Sequence, residues 1–197
     1  NCPKSERIVR NFADYLTKQE PGSFHGIRSI AMLFLLSTGE GEDLEFVRQW
    51  ARSAADRPQT YAWYLGYGGI PLCEYYLRTG DKGVLPGLEE LCAWCIENQA
   101  AGGWGHGAPV GPGYVQSGLM NHTSDPIVAA LSLARECGVE VDEEGYARAV
   151  KFLYRMAGHG SVCYGDHRGE LWWSNTNGRT AMLACAFSLL GEEPRFR

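Results

Sequence analysis

Two stretches of this chain, 80 residues apart, spell the same pattern. Gln19-Glu20-Pro21-Gly22-Ser23-Phe24-His25-Gly26 and Gln99-Ala100-Ala101-Gly102-Gly103-Trp104-Gly105-His106-Gly107 both read Gln, two residues, Gly, one residue, an aromatic, then His-Gly. A loop that recurs at such an interval belongs to a chain built from tandem units.

Helical spacing surrounds these loops. Ser5 to Lys18 places Ile8, Val9, Phe12 and Leu16 on one face, behind a capping Ser. Further helices are expected over residues 24–38, 43–55, 60–79, 86–98, 124–137, 143–156 and 180–190. Ser124 is expected to cap the sixth, with Pro126 in its first turn. The eighth is apolar nearly all round, so burial on every side is expected. The second, fourth, sixth and eighth helices are rich in apolar and small residues, while the odd-numbered ones carry a charged face. That alternation predicts two layers, inner and outer. The connections alternate too. Four short acidic turns, at Gly39, Gly80, Gly138 and Gly191, are alike enough to be repeats of one turn. The fold class expected is therefore all-α: stacked helical hairpins in one domain over residues 1–197.

Bulk properties narrow the function. The chain is 45% hydrophobic and 21% charged, which are globular values. A net charge of −5, with no Lys or Arg between Lys82 and Arg135, argues against nucleic acid and against a polyphosphate. No apolar run reaches the length of a membrane span. Cys73, Cys92, Cys95, Cys137 and Cys185 fall on helical faces and read as small buried apolar residues. The cysteines leave the compartment undecided.

Gln-x-x-Gly-x-Trp at the end of an outer helix resembles the Gln–Trp repeats of the terpenoid cyclase and protein prenyltransferase superfamily. The resemblance implies an α/α toroid with its active cavity at one end of the inner ring. A full toroid of six hairpins would need roughly twelve helices, so about eight imply a partial one, and the remaining helices are expected from a longer chain or from another subunit. Gly102-Gly103-Trp104-Gly105-His106 followed by Asp125 also looks like a stretch of prenyltransferase β subunits that meets diphosphate and zinc. Here His106 stands where that family has Arg, Ile127 where it has Cys, and Arg179 near where it has a zinc-binding His. These departures tell against prenyl transfer. Val162-Cys163-Tyr164-Gly165 is similar to a motif of the zinc-dependent lanthionine cyclases, but the chain has no Cys-His pair. Helix order and loops also look like toroid domains of large bacterial proteins, a likeness that implies fold and not activity.

Residues 99–123 and 158–178 form two long loops rich in Gly, aromatics and His. If the hairpins stack as read, His25, His106, His122, His159 and His167 all lie at one end, beside Tyr61, Trp63, Tyr64 and Tyr67. Three site readings follow. The first is a cleft walled by Trp63, Trp104, Tyr114, Trp172 and Trp173, with His106, Asp125, Asp166 and Arg168 as polar contacts, suited to a polymeric carbohydrate or peptide. In the second, Asp125, Asp166 or Glu170 works with His106 or His167 as acid and base in a hydrolase or lyase. The third is a zinc site drawn from the histidines, Cys163 and Asp166, although no spacing matches a ligand pattern. The first two readings need no cofactor. Against all three stands a structural role, in which Gln99 caps the end of its helix and Trp104 packs on the next hairpin.

Overall fold

The structure is a computed structural model that describes residues 2–20, 26–57, 60–107, 120–157 and 176–191. Its described residues form eight α-helices and no strand: α1 Pro3–Thr17, α2 Gly26–Thr38, α3 Gly41–Ala55, α4 Ala62–Thr79, α5 Leu85–Glu97, α6 Asn121–Glu136, α7 Glu143–Ala157 and α8 Thr176–Leu189. A short 3-10 turn, Lys82–Val84, precedes α5. The chain is all-α, as its periodicity predicts.

The helices sort into two layers. The apolar helices pack in series, α2 on α4, α4 on α6 and α6 on α8, with the α4–α6 interface the most extensive. Among the amphipathic helices, α1 meets α3 and α3 meets α5. Ring and close-atom contacts between α4 and α6 pair Trp63 with His122, Gly66 with Pro126 and Gly69 with Ala130. A thiol–carbonyl contact joins Cys137, just past the end of α6, to Cys73. Residue numbers rise together in both helices, so α4 and α6 run parallel. Gly66 and Gly69 make the approach possible. A Cβ on Gly69 would stand 2.9 Å from the Ala130 Cβ, and one on Gly66 would stand 3.0 Å from the Ile127 amide nitrogen.

The four short turns are one turn repeated. Gly39, Gly80, Gly138 and Gly191 have φ of 79°, 67°, 83° and 69°. This left-handed conformation closes each apolar helix and turns the chain back, at no Cβ penalty to Gly.

Three expectations about the helices need correction. First, Ser124 is not the cap of α6. Met120 is, held by its amide on the Trp104 carbonyl at 3.2 Å. The helix therefore begins at Asn121, and Ser124 instead bonds back to the Met120 carbonyl at 2.6 Å. Second, α8 is not buried all round: Ala181, Cys185, Ser188 and Leu189 are exposed. The helix buried from Asn121 to Ala134 is α6, because α4, α5, α7 and α8 all pack against it. Third, Ser5 is not the cap of α1, which begins at Pro3 behind Cys2. The apolar face of α1 is largely open. Ile8, Val9, Phe12 and Tyr15 are exposed and only Ala13 is fully buried. Among the described residues α1 and α8 end the stack, each with neighbours on one side only.

The open α1 is held by charge. Arg10 makes a bidentate pair with Asp43 at 2.7 and 3.0 Å, and Thr38 donates to the same carboxylate at 2.5 Å. Burial opposes ionisation of Asp43, but the hydrogen bonds from Arg10 and Thr38 outweigh it and hold its pKa below the usual carboxylate value.

Candidate functional site

The repeated loop is explained residue by residue in its second copy. Gln99 reaches the next hairpin: its amide donates to the Gly145 carbonyl at 2.9 Å and accepts from Arg148 at 3.0 Å. Gly102 has φ of 92°, and a Cβ there would lie 2.4 Å from the Arg148 carbonyl oxygen, so only glycine fits against α7. Trp104 turns back beneath α5, donating from Nε1 to the Cys95 carbonyl at 2.6 Å, and is fully buried. The pattern thus ties one hairpin to the next. Trp104 is an anchor in the core rather than part of a ligand wall, because it is fully buried and its only polar side-chain atom is spent on Cys95. Gln99 bonds across to α7 instead of capping its own helix. In the first copy, Gln19 caps its own helix at the Tyr15 carbonyl, 3.4 Å away. Phe24 and His25 lie outside the described residues.

Beyond the anchor the chain delivers His106 to the start of α4. The His106 carbonyl accepts the Ala62 amide at 2.7 Å, so the cap is made by its backbone and not by its imidazole. The imidazole is left to the site. Its Nδ1 lies 3.0 Å from the Tyr61 hydroxyl. The His106 ring is nearly parallel to Tyr61 (7°, centroids 5.6 Å apart) and to Trp63 (9°, 6.3 Å). His122, from the first turn of α6, meets Trp63 at 4.7 Å and His106 at 5.7 Å, in both cases steeply inclined. Tyr67 extends the group at 5.8 Å from Trp63. Tyr61 is 40% exposed, so the cluster reaches the surface, whereas His122 is 8% exposed and lies at its floor.

The electrostatics favour neutral groups. Burial pushes the His106 pKa below the ordinary imidazole value, which leaves the ring uncharged at neutral pH. Burial, then the nearby Asp125 charge, push the Tyr67 phenol up, so it stays protonated. The Trp63 Nε1–H is covered from solvent and has no hydrogen-bond acceptor among the described residues.

Residues 5–196 match the family described as Domain of unknown function (DUF6288). The chain belongs to this family. No curated protein matches it, and no solved structure does. The description of the DUF6288 family names no reaction or ligand, so the chemistry has to be read from the residues.

Of the expected site residues, Trp63, His106 and Asp125 come to the shared ends of α4 and α6. Asp125 is wholly buried one turn below the surface, on the α6 face toward α4. Tyr114, Asp166, His167, Arg168, Trp172 and Trp173 lie outside the described residues, as do His159, Cys163 and Glu170. Among the described residues, no three His, Cys, Asp or Glu side chains are grouped to hold a metal ion. The pairing of Tyr61 with His106 was not foreseen. Its signal, an aromatic run at the start of an apolar helix, is visible, but the partner is 45 residues away. No helix among the described residues is long and apolar enough to cross a membrane.

Proposed function

We propose that this chain is a partial α/α-toroid domain that binds a polymeric carbohydrate or peptide at the end where α4 and α6 begin. The observation that carries the reading is the near-parallel Tyr61–His106–Trp63 group, which is open to solvent at Tyr61 and holds an indole N–H without an acceptor. Flat aromatic faces suit the C–H face of a sugar ring or a peptide side chain. A few oriented polar atoms beside them set register. The absence of cations from Lys82 to Arg135 favours a ligand without phosphate. The hairpin series α2–α4–α6–α8 and the repeated turn support the toroid reading, with the open faces of α1 and α8 as the places where further helices would pack.

The binding reading is preferred to the hydrolase or lyase reading because Asp125, the one described carboxylate of the expected acid–base set, is fully buried. The experiment is a screen of the purified protein and its Trp63→Ala variant on glycan and peptide arrays. The reading expects polymer retention by the wild type and a loss of at least about tenfold in the variant. Equal retention by both proteins would refute this site.

A further inference from the structure

The opposite end of the α4–α6 pair carries sulfur. Cys73 lies on α4, Cys137 caps the end of α6 and Cys92 lies on α5; all three are buried free thiols. The parallel register, made close by Gly66 and Gly69, places them together. The Cys137 Sγ is 3.6 Å from the Cys73 carbonyl oxygen, and the Cys73 Sγ is 3.8 Å from the Ala130 carbonyl oxygen on α6. As core residues, thiols need only fill space. Here two of them meet across a helix interface, next to a turn that opens to solvent at Gly138.

We infer that Cys73 and Cys137 are a redox modification site, in which a peroxide converts the pair to an intramolecular disulfide joining α4 to α6, with Cys137 attacking and Cys73 resolving. The two sulfurs differ in the sense this division requires. Cys137 is 6% exposed and Cys73 is 0% exposed. The neighbouring Cys73 thiol lowers the Cys137 pKa, and the Cys137 thiol, with burial, raises that of Cys73. The thiolate therefore forms on the sulfur nearer solvent, and the thiolate is the nucleophile. Burial pushes the Cys92 thiol up to about 12 and Cys95 well above its ordinary value, which makes both poor nucleophiles.

The chemistry balances with hydrogen peroxide as oxidant. The Cys137 thiolate attacks one peroxide oxygen and the O–O bond breaks. The other oxygen leaves as hydroxide, which takes up a proton to become water, and Cys137 is left as a sulfenic acid. The Cys73 sulfur then attacks the Cys137 sulfur. The S–O bond breaks, and hydroxide leaves with the Cys73 proton as a second water. Two thiols lose two electrons, and one peroxide gains them.

The test is peptide mapping after brief treatment of the folded protein with hydrogen peroxide, alkylation, and tryptic digestion without reductant. Cys73 falls in residues 53–78, Cys137 in 136–148, and Cys92 with Cys95 in 83–135, so each pairing of these three peptides has its own mass. The expected product joins 53–78 to 136–148 and separates on addition of dithiothreitol. In Cys73→Ser the resolving sulfur is absent, and dimedone should label 136–148. If Cys73 and Cys137 remain alkylatable while exposed Cys2 and Cys185 oxidise, the proposal fails. It fails equally if 83–135 supplies the partner. The wild-type map decides even if the variant does not fold.

Discussion

The imidazole of His106 lies within 7° of the plane of the Tyr61 ring, with its Nδ1 3.0 Å from the Tyr61 hydroxyl, although 45 residues separate them. This relationship fixes the loop after Trp104 onto the first turn of α4 and orients the imidazole beside Trp63. Its consequence is a pH response. Burial lowers the His106 pKa, so the folded chain resists taking up a proton that the unfolded chain accepts near pH 6.5. The stability this group contributes is present above about pH 6.5 and is lost as pH falls through the lower folded value. Thermal melts should therefore show a fall in Tm on acidification below about pH 6.5 that is smaller in His106→Gln. An NMR titration of the imidazole should place its midpoint below that of a free histidine.

Asp43 gives a second pH dependence of the same sign at lower pH. Its carboxyl is held below its ordinary pKa although burial works against it, because Arg10 and Thr38 donate to it. The linked stability is present above about pH 4 and is lost as pH falls through the depressed value. Asp43→Asn should cost about 1–3 kcal/mol in urea unfolding, toward the low end because Arg10 is partly exposed. The loss should appear first as detachment of α1, whose other contacts are few.

Gly102 and Gly107 separate a backbone requirement from a merely small residue. Gly102→Ala drives a Cβ to 2.4 Å from the Arg148 carbonyl at a φ of 92° and should destabilise the fold by about 2 kcal/mol or more. At Gly107 a Cβ would meet the Thr60 carbonyl at 3.5 Å, an ordinary contact. Gly107→Ala should change the unfolding midpoint little. Denaturant melts of the two variants side by side provide the check.

Much of the architecture was legible because it rests on local patterns. Apolar spacing and the glycine stops located all eight helices, and the four similar turns proved to share one left-handed glycine. What was not legible depended on neighbours. The face of α8 looked ready for burial, but no helix among the described residues covers it. Ser124 had the look of a cap, yet a long-range bond from Met120 to Trp104 sets the start of α6. Trp104 looked like a ligand wall because a loop tryptophan beside glycines suits either role, and only the Cys95 carbonyl distinguishes them. Asp125 was picked out as an acid near a histidine; its complete burial follows from the packing of four helices on α6, which sequence spacing does not reveal.

Trp104→Phe tests that division between anchor and site. Loss of the bond to Cys95, with a smaller ring in a filled space, should cost about 1–3 kcal/mol of stability. Binding to any array polymer should persist in the folded variant, whereas Trp63→Phe, which removes the unpaired donor, should weaken it. Unfolding curves and array titrations of both variants measure the two effects separately.

The central claim is that ligands engage the Tyr61–His106–Trp63 end. The most direct measurement is the indole N–H spectrum of protein with ¹⁵N-labelled tryptophan, titrated with an oligosaccharide or peptide that the arrays retain. The account predicts that the Trp63 resonance, assigned by its loss in Trp63→Phe, moves with ligand because its ring belongs to the Tyr61–His106–Trp63 group that the ligand contacts. The Trp104 resonance, already bonded to Cys95, should stay in place. A Trp63 resonance that stays unshifted while the ligand saturates the protein would contradict the account.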